Sequence, residues 1–276
     1  MRAVNPFLRW AGSKKRLLPK LKSYWQPDCL GYVEPFMGSA CLFFDLQPDR
    51  AILGDLNSDL VNTYMVIRDH YRAVHNALLR LPLGKNNYYK IRSVLPSSLL
   101  PTERAARFLY LNSFCFNGLY RTNQSGQFNV PFSASSGTLP SYEQLKAVST
   151  ALEMADILCG DFEKTLHKAR RGDFVYLDPP FAVSNRRVFK EYLPKSFGSS
   201  DIDRLRSNLV SLDKAGIKFL VSYAYCKEAI DLASRWYLKR VFTQRNISGF
   251  AEHRRKAVEL LISNFVPTEN IDNATA

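Results

Sequence analysis

The sequence is short of the residues that bind metals or cross-link a chain. Five cysteines, Cys29, Cys41, Cys115, Cys159 and Cys226, are scattered over 276 residues, and no two form Cys-x-x-Cys. Their number is odd, and only four histidines accompany them. A disulfide framework and a structural zinc site are therefore excluded, no metal is expected, and the thiols read as core or surface fillers. Long apolar runs are also missing. None approaches the roughly 20 residues of a membrane span, and residues 1–15 are aromatic and basic without a signal-peptide core. The expectation is a cytoplasmic protein with no membrane partner. The dinucleotide fingerprint G-x-G-x-x-G does not occur, nor does any internal repeat. Acidic residues are scarce beside basic ones, 25 against 38, for a net charge of +13. That balance favours a polyanionic partner such as nucleic acid or an acidic membrane surface.

What is present is enough for a substantial core. Hydrophobic residues make up 46% of the chain, and the length suits one large domain or a domain carrying an insertion. The most informative stretch is Asp173-Phe-Val-Tyr-Leu-Asp-Pro-Pro-Phe181. Phe174–Leu177 is a short β-prone apolar run that reads as a buried parallel strand. Asp178 then stands at its carboxyl end, where open α/β sheets gather functional groups. Two prolines fix the backbone after it, and an aromatic follows. A carboxylate and a flat ring suit a planar nitrogen base; a strand closing in a capped turn is the alternative.

In chain order, residues 5–11 are strand-like and aromatic, and Gly12-Ser13 precede a basic helix that Ser13 can cap, leaving N–H groups for an anion. Lys14 could meet a carboxylate; an exposed basic helix is the alternative. Tyr32–Val33 is a strand, Glu34 its end, Gly38–Ser39 a turn and Ala40–Asp45 a helix start. Such a strand, small-residue turn and helix let a backbone approach a nucleotide-like ligand. Ala51–Gly54 is a second strand, and Asp55 at its end fits a ribose hydroxyl. Asp59 reads as a helix-entry residue.

From about Leu60 to Tyr142 helical spacing dominates, as in 71–81 and 102–112, and loops are expected at 82–87 and 96–98. This reads as a helical insertion. It ends in 114–132, where Asn117-Gly118 and Ser125-Gly126 signal turns and a β-hairpin is expected. Arg121 suits guanine, Asn123 and Gln124 suit adenine, and the aromatics can wedge between bases; an ordinary polar hairpin is the alternative. Further strands are expected at 157–158, 219–222, 237–242 and 257–263, with helices at 144–150, 201–215 and 229–234. Asp161 and Phe162 follow the first of these strands, suited to gripping an adenine. Loops bearing Arg186, Arg187 and Lys190, and Arg245 to Arg255, are basic enough to meet phosphates, the first also as a lid.

The order of these elements carries a resemblance. Phe7-Leu-Arg-Trp-Ala-Gly-Ser-Lys-Lys15, Val33-Glu-Pro-Phe-Met-Gly-Ser39, Asp55-Leu-Asn-Ser-Asp59, Phe116-Asn-Gly-Leu-Tyr-Arg-Thr-Asn123, Phe128-Asn-Val-Pro131, Gly160-Asp-Phe162, Asp178-Pro-Pro-Phe181, Arg245-Asn-Ile-Ser248 and Glu259-Leu-Leu-Ile-Ser-Asn264 occur in one sequence order. Together they resemble the Dam-type DNA adenine-N6 methyltransferases, the D12 class or alpha group, over almost the whole chain. Asp-Pro-Pro-aromatic is shared by many amino methyltransferases; the Asn-Gly-Leu-x-Arg and Phe-Asn-Val-Pro elements are far more specific.

The resemblance implies a Rossmann-like α/β methyltransferase sheet. The catalytic domain would be discontinuous, 1–58 and 143–276, around a helical target-recognition insertion, 59–142, that bears a DNA-reading hairpin. Trp10, Ala11, Gly12, Lys14, Glu34, Pro35, Phe36, Gly38, Ser39, Asp55, Asp161, Phe162 and Asp178 would line the S-adenosylmethionine pocket. Asp55 would take the ribose and Asp161 with Phe162 the adenine. Asp178, Pro179, Pro180 and Phe181 would form the methyl-transfer site. Phe116, Asn117, Leu119, Arg121, Asn123, Asn129, Pro131, Arg186, Arg187 and Arg245 would meet double-stranded DNA, Arg121 reading a guanine and Phe116 wedged into the duplex. GATC is the expected target, with a flipped-out adenine as methyl acceptor and a monomer in solution. Phe181 stands where tyrosine is usual, Phe116 where a tyrosine often sits, and Ser13 and Ala40 where glycine is common. An RNA guanine-amine methyltransferase and a silent DNA-binding regulator are the competing readings; the insertion speaks against the first, and the intact Asp55 and Asp178 against the second.

Overall fold

The structure of the protein, a computed structural model, describes residues 4–133, 137–180, 197–244 and 256–267. Seven strands form one sheet: β1 (Gly31–Glu34), β2 (Ala51–Asp55), β3 (Ala155–Cys159), β4 (Asp173–Leu177), β5 (Lys218–Ala224), β6 (Tyr237–Gln244) and β7 (Lys256–Ser263). Their order across the sheet is β3-β2-β1-β4-β5-β7-β6. The first five in that order run parallel. β7 is antiparallel to both β5 and β6, between which it lies. Every residue of β1 and β4 is buried, as central parallel strands covered on both faces must be. All seven strands coincide with runs that the sequence marks as β.

Nine helices are described: α1 (Leu18–Lys22), α2 (Cys41–Leu46), α3 (Ser58–Leu79), α4 (Lys85–Ser93), α5 (Pro101–Phe114), α6 (Tyr142–Leu152), α7 (Phe162–Leu166), α8 (Ser199–Lys214) and α9 (Lys227–Leu232). Helices α3 to α6 fill the connection between β2 and β3. Asn57 caps α3, its side-chain oxygen accepting the N–H groups of Asp59 and Leu60. That satisfies two of the four donors a helix start leaves open. Asp59, in the first turn, pairs with Arg104 of α5. Arg107 ties α5 to α4 by donating to the carbonyls of Ile91 and Arg92. Aromatic and aliphatic side chains of α3 and α5, including Tyr64, Phe108 and Tyr110, belong to the same buried cluster as Tyr32, Phe174 and Tyr176 of the sheet.

Local structure departs from expectation in four places. Residues 5–11 are not a strand, because their backbone finds a side chain instead of a strand neighbour. Arg9 N–H donates to the Asn112 Oδ1 at 2.9 Å, and Asn112 Nδ2 donates back to the Arg9 carbonyl at 2.7 Å. Ser13 does not cap the next helix: a 3₁₀ turn at Lys15–Leu17 has Lys14 at its cap without a side-chain bond. The expected loop 82–87 gives way at Lys85 to α4, which starts after Gly84 at φ 106°. The expected hairpin is an antiparallel excursion held by two isolated bridges, Cys115 with Phe132 and Thr122 with Phe128. A 3₁₀ turn at Phe116–Gly118, with Asn117 left-handed at φ 53°, interrupts regular pairing.

Two residues at the strand ends give testable consequences. A Cβ on Gly54 of β2 would overlap the Thr165 hydroxyl of α7, so Gly54→Ala should cost about 1–3 kcal/mol by overpacking, read as a lower denaturant midpoint. Glu34 is buried at the end of β1, and burial holds its carboxyl well above the usual range, against the lowering effect of the Tyr32 hydroxyl. The folded carboxyl therefore keeps its proton at pH values where the unfolded one, near pH 4.3, has lost it. Stability falls as pH rises through that window. Glu34→Gln should stabilise the fold more at about pH 8 than at about pH 4, in denaturant titrations of both proteins.

Candidate active site

The sheet order places β1 between β2 and β4, so connections leave toward opposite sides at the carboxyl ends of β1 and β4. Such a switch point opens a crevice above the strands. Glu34, Asp55 and Asp178 stand at the ends of β1, β2 and β4, and Asp161 two residues after β3.

The loop after β1 is shaped to bring backbone into the crevice. Gly38 and Ala40 are both left-handed, at φ 43° and 46°. A Cβ on Gly38 would meet the Trp10 ring at 2.8 Å. Ala40 adopts this conformation despite its Cβ, a strained choice for an L-residue. Asp55 ties the loop down, its Oδ2 accepting from Gly38 N–H at 3.2 Å and its Oδ1 from Asn57 N–H at 2.9 Å. Burial raises its carboxyl pKa, partly offset by these N–H donors. The Tyr64 hydroxyl donates to the Gly38 carbonyl at 3.0 Å. Ser39 Oγ lies 3.3 Å from Ser13 Oγ, which joins the loop to the Gly12-Ser13 turn.

At the side of β3, Phe36 stacks on Phe162 with ring centroids 5.4 Å apart, and Phe197 meets Phe36 edge-on. Asp161 caps α7 through the Glu163 N–H and is held by Arg204 at 2.6 Å. The same guanidinium binds Glu163 and lies 4.8 Å from the Phe162 ring centre.

Asp178 sits at the centre. Lys14 Nζ is 2.7 Å from its Oδ1 and 2.8 Å from its Oδ2. Lys14 also donates to the Gly12 carbonyl at 3.1 Å and lies 3.8 Å from Glu259 Oε2. Ser222 of β5 donates to Asp178 Oδ1 at 2.9 Å, and its oxygen is 2.9 Å from the Tyr176 hydroxyl. Lys14 is 5% exposed and Asp178 20%, so the carboxylate faces the crevice while its cation is covered. Pro179 is buried and Pro180 exposed.

The loop expected to face DNA lies at the end of α5. Phe116, Asn117 and Pro131 are exposed, and Leu119, Arg121, Asn123 and Asn129 partly so. Arg121 Nε donates to Asn129 Oδ1 at 2.6 Å and its Nη2 to the Asn129 carbonyl. Asn123 is engaged with Gln127, closing the turn from both main chain and side chain. The Trp10 ring stacks on Tyr120 at 5.7 Å, connecting this loop to the crevice. Phe181, Arg186, Arg187 and Arg245 lie outside the described residues.

The structure thus brings Trp10, Lys14, Glu34, Phe36, Gly38, Ser39, Asp55, Asp161, Phe162 and Asp178 around one crevice. Reading the sequence for sites did not single out Ser222, Tyr64, Arg204 or Glu259 as site residues. Glu259 had a legible signal, as the one acid within Ala257-Val-Glu-Leu-Leu-Ile262. Ser222 had a weaker one, its place at the carboxyl half of β5 beside Asp178.

The sequence matches the D12 class N6 adenine-specific DNA methyltransferase family over residues 10–256. It is 32% identical to a type II methyltransferase, M1.LlaDCHI of Lactococcus lactis, across 95% of this chain and 96% of that protein. It is 33% identical to the type II methyltransferase M.MjaIII of Methanocaldococcus jannaschii across 95% and 99%. It is 32% identical to a DNA adenine methylase of Haemophilus influenzae across 93% and 92%. With Asp178 at the head of Asp-Pro-Pro, a glycine turn after β1 and a match over most of its length, the chain belongs to the D12 class of N6 adenine-specific DNA methyltransferases.

Proposed function

We propose that the protein transfers a methyl group from S-adenosylmethionine to the N6 amine of an adenine flipped out of duplex DNA, within GATC. The observation that carries the reading is the placement of Asp178 at the β1–β4 switch point, facing a crevice whose other rim is the Gly38 turn and Asp55.

The residues of the crevice fit the cofactor. Each oxygen of Asp55 accepts one N–H and keeps a lone pair for a ribose hydroxyl. The Gly38 turn gives the room that a Cβ would fill. Phe36 and Phe162 offer aromatic surface, and Asp161, fixed by Arg204, offers an acceptor beside it. When bound, S-adenosylmethionine supplies an electrophilic methyl on a sulfonium. Asp178 favours a cation near it.

An adenine amine is a weak nucleophile because its lone pair is delocalised into the ring, and a stacked base is out of reach. Extrusion costs a few kcal/mol. Asp178 and the Pro179 carbonyl can each accept one N–H of the extruded amine. This draws the nitrogen toward tetrahedral geometry and aims its lone pair along the transfer line. Lys14 and Ser222 hold the Asp178 carboxylate in place for that contact. Positioning and fixed charge then supply the rate, and the displaced proton leaves to water. Phe181, next after Pro180, supplies by its residue type a ring for stacking on the base.

On the DNA side, the insertion 59–142 acts as the target-recognition region. Arg121, its guanidinium held in plane by Asn129, suits a guanine edge, a bidentate match worth about 1–3 kcal/mol against the wrong base. Leu119 and Pro131 flank it. Phe116, nearly half exposed at the tip of its turn, is the wedge for the vacated space. Asn117, Asn123 and Asn129 shape the reading loop, and Arg186, Arg187 and Arg245 serve phosphates.

Asp178→Ala should lower single-turnover methylation by about 100-fold or more, while calorimetry finds S-adenosylmethionine binding largely retained; loss of both would contradict the assigned role. Plasmid from a host expressing the protein should resist an enzyme blocked by adenine methylation at GATC and be cut by one that requires it. Unchanged digestion would sink the GATC assignment, and modified-base sequencing of the same DNA would report the true target.

A further inference from the structure

One buried acid at the rear of the crevice has no part in holding cofactor or base. Glu259 stands in β7, opposite Ala224 of β5 and Val241 of β6, and is 5% exposed within an otherwise apolar run. A carboxylate in such a place is costly unless a cation meets it. Lys14 does, with Nζ 3.8 Å from Glu259 Oε2 and 2.7 Å from Asp178 Oδ1. Two carboxylates, from β7 and β4, therefore share one ammonium, and the nearer is the one that faces the crevice.

We infer that Glu259 is a positioning residue for methyl transfer, acting on Asp178 through Lys14. The inference rests on the reading that Asp178 accepts the adenine amine. Asp178 already receives Lys14 at both oxygens and Ser222 at one. An incoming amine N–H adds another donor to the same carboxylate. Glu259 gives Lys14 a second acceptor, so the ammonium can lean away from Asp178 and remain paired. Without that charge Lys14 loses its Glu259 acceptor, leans less readily from Asp178 and competes with the amine for the carboxylate's lone pairs. Ser222, anchored by Tyr176, keeps Asp178 from following Lys14 as it leans.

The test is single-turnover methylation of a duplex carrying the modified site, with dissociation constants for S-adenosylmethionine and DNA measured on the same preparations. Glu259→Gln, isosteric and uncharged, should lower the rate by about tenfold or more with both constants within about threefold of the parent. Glu259→Asp, which restores the charge, should recover part of the rate. A parent-like rate for Glu259→Gln would overturn the inference. So would a loss of S-adenosylmethionine affinity in step with rate, failure of the amide variant to fold, or Glu259→Asp no faster than Glu259→Gln, since each assigns Glu259 to stability alone. Asp178→Ala run alongside separates the two levels. Its retention of activity would remove the reading of Asp178, whereas an inactive Asp178→Ala with a parent-like Glu259→Gln would remove only the role of Glu259.

Discussion

A single covered ammonium joins three distant parts of this chain. Lys14 brings the N-terminal segment onto β4 through Asp178 and onto β7 through Glu259, and it closes its own turn on the Gly12 carbonyl. Take it away and Asp178 and Glu259 both lose a cation that meets them, and removing one partner of a buried pair costs about 3–5 kcal/mol. The segment before Lys14 depends on the same anchorage. Trp10 can lie against the Gly38 turn and stack on Tyr120 only while the Gly12 turn is held in place. The Gly38 turn, the loop after α5 and Asp178 are thereby registered to one another by side chains of residues 9–14.

The second constraint is topological. Parallel pairing of β1 with both β2 and β4 puts three acids at one edge. The physical chemistry then differs among them. Asp55 is satisfied by backbone donors, Asp178 by a cation and a hydroxyl, and Glu34 by a tyrosine hydroxyl within apolar surroundings. Three like residues become a group held by main-chain N–H donors, a group paired with an ammonium and a carboxyl that resists ionisation, without any change in residue type beyond one methylene.

The strands were legible because buried parallel strands are short, β-branched or aromatic and apolar at every position, as in Phe174-Val-Tyr-Leu177. The crevice was legible to the extent that its groups lie at strand ends, a rule of the fold independent of detail. What escaped was set by long-range pairing. Nothing near Arg9 announces that Asn112, over a hundred residues on, will satisfy its main chain in place of a strand. Nothing near Asp161 announces Arg204. The expected hairpin failed to become regular because Asn117 and Gly118 both adopt left-handed backbone, which turns the chain too early for a ladder to form. The left-handed Ala40 is the reverse case. The sequence flagged a residue where glycine is common, and the fold imposed glycine's conformation on it regardless.

The position of β7 has a consequence for how the protein comes into being. It is the last of the described strands to leave the ribosome, yet it sits inside the sheet between β5 and β6 and not at its edge. Until it arrives, β5 has an open side, Lys14 lacks its contact with Glu259, and the sheet cannot take its final order. Domains that can fold during synthesis from the amino end do so at the pace of translation; here the closing register waits for β7. A ribosome-bound nascent chain that has made the Gly38 turn, the loop after α5 and Asp178 still lacks the strand that carries Glu259. Completion of the sheet is thus coupled to synthesis of β7, and a product truncated before it lacks the strand between β5 and β6 together with the Glu259 partner of Lys14.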